Sequence, residues 1–181
     1  MPMQADVLTY TWEQINTGTS TSTIPSATRT TGPAFRSRNN GTNPTRTFPI
    51  LASILDGTNT NKWEVLPSVA RTLNFRVTVK DNHVGGGNNQ TADATVTVSS
   101  ASGPFAVSAP NTAVSWAGGS TQTITWSVAS TTAAPVSCAN VKISLSTDGG
   151  QTFPTVLIAS TPNDGTQALS YSKHAYYYCP H

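Results

Sequence analysis

A chain of 181 residues has room for one large or two small β domains and is long enough to bury a core. Only 10% of the residues are charged and the formal net charge is +2, so no strong field exists to draw in nucleic acid or an anionic membrane, and neither is expected as a partner. Twelve prolines and thirteen glycines recur too often for long helices, while abundant Thr and Val favour the pleated surface of strands. The expected class is therefore all-β.

Residues 9–14, Thr-Tyr-Thr-Trp-Glu-Gln, alternate with a period near two and predict a first strand with Tyr10 and Trp12 on one face. Residues 17–49 are rich in Ser, Thr, Asn, Gly and Pro and predict a long irregular excursion, with Phe35 and Phe48 as its anchors to the core. The loose basic cluster within it, Arg29, Arg36, Arg38 and Arg46, reads as a solvated loop. Residues 71–80 are the clearest strand, with Leu73, Phe75, Val77 and Val79 pointing one way. A Gly/Asn-rich turn follows, and residues 92–98 alternate again, so the two runs predict a hairpin.

Small residues at 99–103 read as a linker. The expected organisation is a first module over 1–102, carrying the long loop, and a second over 103–170. In the second module, residues 104–107, 121–128, 141–145 and 155–159 predict strands, with Ile124, Trp126 and Val128 on one face. Strands at this spacing suggest sandwiches, and two immunoglobulin-like modules are expected. Residues 171–181 break the pattern and read as an atypical tail, vector-derived or out of frame. Cys138 and Cys179 either pair or stay as thiols. No signal peptide is visible at the N-terminus, and no apolar run reaches the length of a membrane span.

Four groups of side chains are candidates for chemistry. Residues 146–153, Ser-Thr-Asp-Gly-Gly-Gln-Thr-Phe, match the Asp-box pattern S-x-D-x-G-x-T-F, in which the carboxylate gathers N–H groups across a tight turn and the aromatic ring closes on the core. Asp81, Asp93, Asp148 and Asp164 are hard oxygen ligands in turns and hairpins and are candidates for calcium, although turn chemistry alone also accounts for them. His83, His174, Cys179 and His181 have the chemistry for zinc, but the spacing of the last three fits no standard finger. Trp12, Trp63 and Trp116 are candidates for a carbohydrate-binding face, against the alternative of single aromatic core plugs. There is no H-E-x-x-H, G-x-S-x-G or P-loop, and the only glutamates, Glu13 and Glu64, show no sign of an acid/base pair.

Several of these stretches resemble a segment of large secreted bacterial metalloproteases, the reprolysin-like zinc enzymes of Bacteroidetes-type bacteria. The resemblance is carried by residues 8–14, 46–49 and 73–82, and then by 103–105, 123–126, 138–143, 145–150 and 161–165. It spans roughly residues 6–168 and lies downstream of the family's catalytic domain. It implies accessory Ig-like or PKD-like modules of an exported parent, without the zinc-binding helix, so no family catalytic residue carries over. It also implies modules cut at both ends, with the closing strands after Gly165 missing.

The expected function is a non-catalytic spacer, stabilising or binding region. The alternatives are an adventitious metal-dependent esterase or phosphoesterase built on the His, Cys and Asp ligands, with zinc or calcium as its cofactor, and a carbohydrate-binding module. The expected partners are a second copy, through strand pairing or swapping, and a polysaccharide or protein ligand.

Overall fold

The computed structural model describes residues 6–18 and 24–170. Among them ten strands form four antiparallel sheets, and the one helix is a single turn, so the fold is all-β. The chain divides into two compact units between Val98 and Ser99.

In the first unit, β1 (Thr9–Gln14), β4 (Arg71–Lys80) and β5 (Asn89–Val98) form a sheet in the order β1-β4-β5. Period-two alternation in β4 sends Leu73 and Phe75 inward, where both are buried. They meet Ala34 and Phe35 from the long excursion, with Trp12, Phe48, Val65 and Val98 packed around them. The rings of Phe35, Phe48 and Phe75 form a triad with centroids 4.6 to 6.0 Å apart, so the two phenylalanines of the excursion do anchor it to the core.

Between β1 and β4 lie α1 (Leu51–Leu55) and a small hairpin of β2 (Thr60–Asn61) and β3 (Glu64–Val65). These elements are too short to produce a readable hydrophobic period. Side-chain bonds order the rest of the excursion. The Gln14 amide oxygen accepts the N–H groups of Ala34 (2.6 Å) and Phe35 (3.1 Å). Arg71, a buried cation on β4, donates to the carbonyls of Arg29 and Gly32. The Trp12 indole donates to the Pro44 carbonyl (2.9 Å), and Gly41 exchanges two backbone bonds with Tyr10. An irregular segment can stay buried only when its backbone groups find such partners.

In the second unit, β6 (Ala106–Ala109), β7 (Thr121–Ser127) and β10 (Thr166–Ser170) form a sheet in the order β10-β7-β6. The pair β8 (Asn140–Leu145) and β9 (Thr155–Pro162) forms a second. The arrangement is sandwich-like. An apolar cleft of about 430 Å³ is lined by Val107, Ile124 and Trp126 on one sheet and Val141 and Ile143 on the other. Trp126 and Leu169 are the buried apolar residues.

Polar groups also hold this unit together. Buried Asn163 accepts the Trp126 indole N–H (2.9 Å) and donates to the Thr131 hydroxyl and the Cys138 carbonyl (both 3.0 Å). Contrary to expectation, a strand does follow Gly165: β10 pairs along β7 from Thr166 to Ser170. Its run Thr-Gln-Ala-Leu-Ser is short and mostly polar, which hides its period. Gly165 sits at φ 95° and its carbonyl accepts the Trp126 N–H (3.0 Å), a conformation an L side chain rarely adopts.

Candidate functional site

Among the described residues the most heavily bonded ionisable group is Glu64, on β3. The turn before it is set by Asn61, whose side-chain oxygen accepts the Trp63 N–H (2.9 Å), and the Glu64 side chain then runs inward with no exposure at all. Its Oε1 accepts Arg46 Nη2 (2.6 Å) and Arg38 Nε (3.0 Å), and its Oε2 accepts the Ile50 N–H (2.9 Å). Burial pushes the carboxyl pKa up, but the bonds from Arg38, the Ile50 N–H and Arg46 outweigh it and hold the group below the usual range. Burial lowers the Arg46 pKa, against the opposing pull of Glu64. Arg46 also reaches the Trp12 and Arg36 carbonyls and lies 4.2 Å over the Phe48 ring.

For Arg46 this corrects the reading of the arginine cluster as a solvated loop, whereas Arg36 and Arg38 are exposed as expected. The Arg46 side chain is only 12% exposed, and it ties the excursion to β1, β3 and the aromatic triad. A carboxylate that is fully buried and bonded through both oxygens can reach no substrate, so Glu64 is a structural centre rather than an acid or base. The signal available in sequence was a lone Glu inside the apolar run Trp63-Glu64-Val65-Leu66, with surplus arginines upstream.

The candidate calcium ligands are each spent on local bonds. Asp81 accepts the Asn88 N–H (2.8 Å) and the His83 N–H (3.2 Å), closing the turn between β4 and β5, and those bonds lower its pKa. Asp93 is held by Arg76 through two parallel bonds of 2.7 and 2.8 Å. Asp164 accepts the Thr166 N–H at 3.1 Å. Asp148 takes the Thr152 N–H (2.9 Å) and hydroxyl (2.5 Å) and the Ser146 hydroxyl (2.7 Å), which pull its pKa down to about 2.

The Asp-box turn thus forms, with Gly149 and Gly150 at φ 71° and 85°. Its aromatic residue departs from the expectation. Phe153 is 58% exposed, because it lies in the loop before Pro154 and β9 and so has no place on a sheet face.

Of the zinc candidates, His83 faces Asp6 at 3.1 Å, a contact that raises its pKa. His174, Cys179 and His181 lie outside the described residues. Among the described residues no three His, Cys, Asp or Glu side chains gather as a metal site would require.

The aromatic candidates are divided between the two units. Trp12 is half-buried against the first unit's core, and Trp116 is half-buried in the loop between β6 and β7 of the second unit. Trp63 borders an open cleft of about 460 Å³ with Pro25, Pro33, Phe35 and Arg36. The Arg36 guanidinium and the Lys62 ammonium each sit 4.8 Å from its ring centre.

No protein-family model, curated protein or solved structure matches this chain. No helix among the described residues is long and apolar enough to cross a membrane.

Proposed function

We propose that the chain is a non-catalytic accessory region, made of two Ig-like or PKD-like modules, that spaces or stabilises the catalytic part of an exported metalloprotease-like parent. The observation that carries this reading is how its acids are used. The sequence holds eight acidic side chains, and every one accepts a hydrogen bond or ion pair from within its own unit. A catalytic acid or base instead stands in a cleft with its pKa tuned to its task. Here the shifts in the described acids run downward, as expected for groups that stay ionised and hold turns together.

The test is a panel of protein, ester and phosphoester substrates run with the purified chain, alongside elemental analysis of its metal content. The expected result is no turnover that tracks with the protein. Stoichiometric zinc, together with ester hydrolysis that is lost in the paired His174→Ala and His181→Ala variant, would replace this reading with the adventitious hydrolase.

A second reading, binding of carbohydrate, is favoured by the Trp63 cleft. Trp63 and two prolines offer apolar surface for sugar rings, and Arg36 and Lys62 add hydrogen-bond donors beside it. Intrinsic fluorescence titrated with a glycan panel tests it. Quenching that disappears in Trp63→Ala supports the reading, and a flat response to every glycan removes it.

A further inference from the structure

The two edges of the first unit's sheet are treated differently. At β1 the outward backbone groups are occupied: Tyr10 exchanges bonds of 2.8 and 3.2 Å with Gly41, and the Trp12 carbonyl accepts Arg46. At β5 nothing comparable occurs. Among the described residues, no backbone group from Gln90 to Val98 bonds to anything beyond the β4 ladder. The ladder runs unbroken over ten pairs from Arg71↔Val98 to Lys80↔Asn89, and nine of the ten β5 residues are exposed. Ten residues in a strand span about 30 Å.

Protected edges carry Pro, Lys, a bulge or an inward charge. The β5 sequence, Asn-Gln-Thr-Ala-Asp-Ala-Thr-Val-Thr-Val, has none of the first three. Its one ionisable side chain, Asp93, is paired with Arg76. Val96, opposite buried Leu73, remains 48% exposed.

The strand also complements its own reverse. An antiparallel pair with a two-fold axis at Thr95 sets Ala94 against the second copy's Val96 and Ala92 against its Val98. Ala92, Ala94, Val96 and Val98 then each meet an apolar partner, while Gln90, on the same face, lies outside the paired stretch of residues 92–98. On the other face Asp93 meets Thr97 rather than a second Asp93. An axis at Asp93 would instead place the two carboxylates directly opposite each other, which is unfavourable.

We propose that β5 is a homodimerisation edge, through which two copies pair antiparallel about Thr95 and join two three-stranded sheets into one of six. The occupant is a second copy of this chain, and pairing satisfies the open backbone row over residues 92–98 while covering Val96.

Sedimentation velocity of the full chain over a micromolar-to-millimolar series tests this, with Thr97→Asp and Thr97→Lys compared against the parent. Thr97 is exposed, so neither change disturbs the core, and circular dichroism checks the fold. Two symmetry-related pairs change at once. Thr97→Asp weakens the dimer about fivefold by setting like charges opposite each other, and Thr97→Lys tightens it by a similar factor; both effects shrink with added salt. A monomer at every concentration, or a dimer that responds equally to the two substitutions, overturns the proposal.

Discussion

Replacing Glu64 with Gln keeps the volume and one carbonyl acceptor but removes the charge that Arg46 and Arg38 share. Removing one partner of a buried ion pair costs about 3–5 kcal/mol, because the other charge is left uncompensated. Arg46, at 12% exposure, has little access to water, whereas Arg38, at 44%, regains solvation and lessens the loss. The retained acceptor for the Ile50 N–H lessens it further. The expected cost is therefore near the lower end, about 3 kcal/mol. For a unit of this size, each kcal/mol moves the melting temperature by about 4–8 °C, so Glu64→Gln lowers the first unit's transition by about 12–24 °C at neutral pH. The dependence on pH follows from the lowered pKa of the folded carboxyl. Its contribution is complete above the unfolded value of about 4.3 and is lost as pH falls through the folded value, so the gap between parent and variant closes in acid. Calorimetric scans of both proteins over a pH series read this directly. A variant within about 2 °C of the parent at neutral pH, or a gap that persists undiminished in acid, would refute the assignment of Glu64 as the electrostatic tie of the excursion.

Three further outcomes follow from individual contacts. Asn163→Ala strands the Trp126 indole N–H and the Cys138 carbonyl inside the second unit, and should cost about 2–4 kcal/mol in denaturant unfolding; a loss under about 1 kcal/mol would argue against that network. The Asp148 carboxyl should titrate at about 2 by carbon-detected NMR, and Thr152→Val should raise it; a value in the ordinary carboxylate range would mean the Asp-box bonds are not made in solution. The bond to Asp6 raises the His83 pKa, so its contribution is present below the unfolded value and fades as pH rises through the folded one. Asp6→Asn should lower the His83 titration toward the ordinary imidazole range, and an unchanged titration would place the two groups apart.

The strands were legible where side-chain alternation decided the outcome. The runs at 9–14 and 71–80 coincide with β1 and β4, and the 92–98 run lies within β5, because a half-buried antiparallel sheet writes its period of two directly into the residues. Elements held by polar side chains left no such trace. Strand β10 has only Leu169 buried. The hairpin of β2 and β3 is four residues in all, anchored by the Phe35↔Glu64 bridge from a segment almost thirty residues upstream. The candidate metal ligands were legible as chemistry but not as geometry. Asp81 and Asp164 look the same in sequence whether they bind a cation or close a turn, and the deciding N–H donors, Asn88 and Thr166, are backbone groups that residue identity does not display.

The arginines carry the same lesson further. Arg29, Arg36, Arg38 and Arg46 fall in one polar stretch, and a basic stretch with little apolar content normally lies in solvent. Arg46 does not, because a β domain with an irregular excursion over residues 17–49 between β1 and β4 must satisfy the backbone of that excursion somewhere. Leu and Val cannot do this. A guanidinium with five donors can bind several carbonyls and a carboxylate at once, and Arg46 does so for Trp12, Arg36 and Glu64, while Arg71 does it for Arg29 and Gly32. A surplus of arginine beside a long Ser/Thr/Asn loop and an isolated glutamate in an apolar run is therefore better read as loop-pinning machinery than as a surface for polyanions. The same accounting explains why β1 has an occupied edge and β5 an open one. The excursion leaves from the end of β1 and bonds back along it, whereas no described segment returns along β5, whose backbone row stays available to another strand.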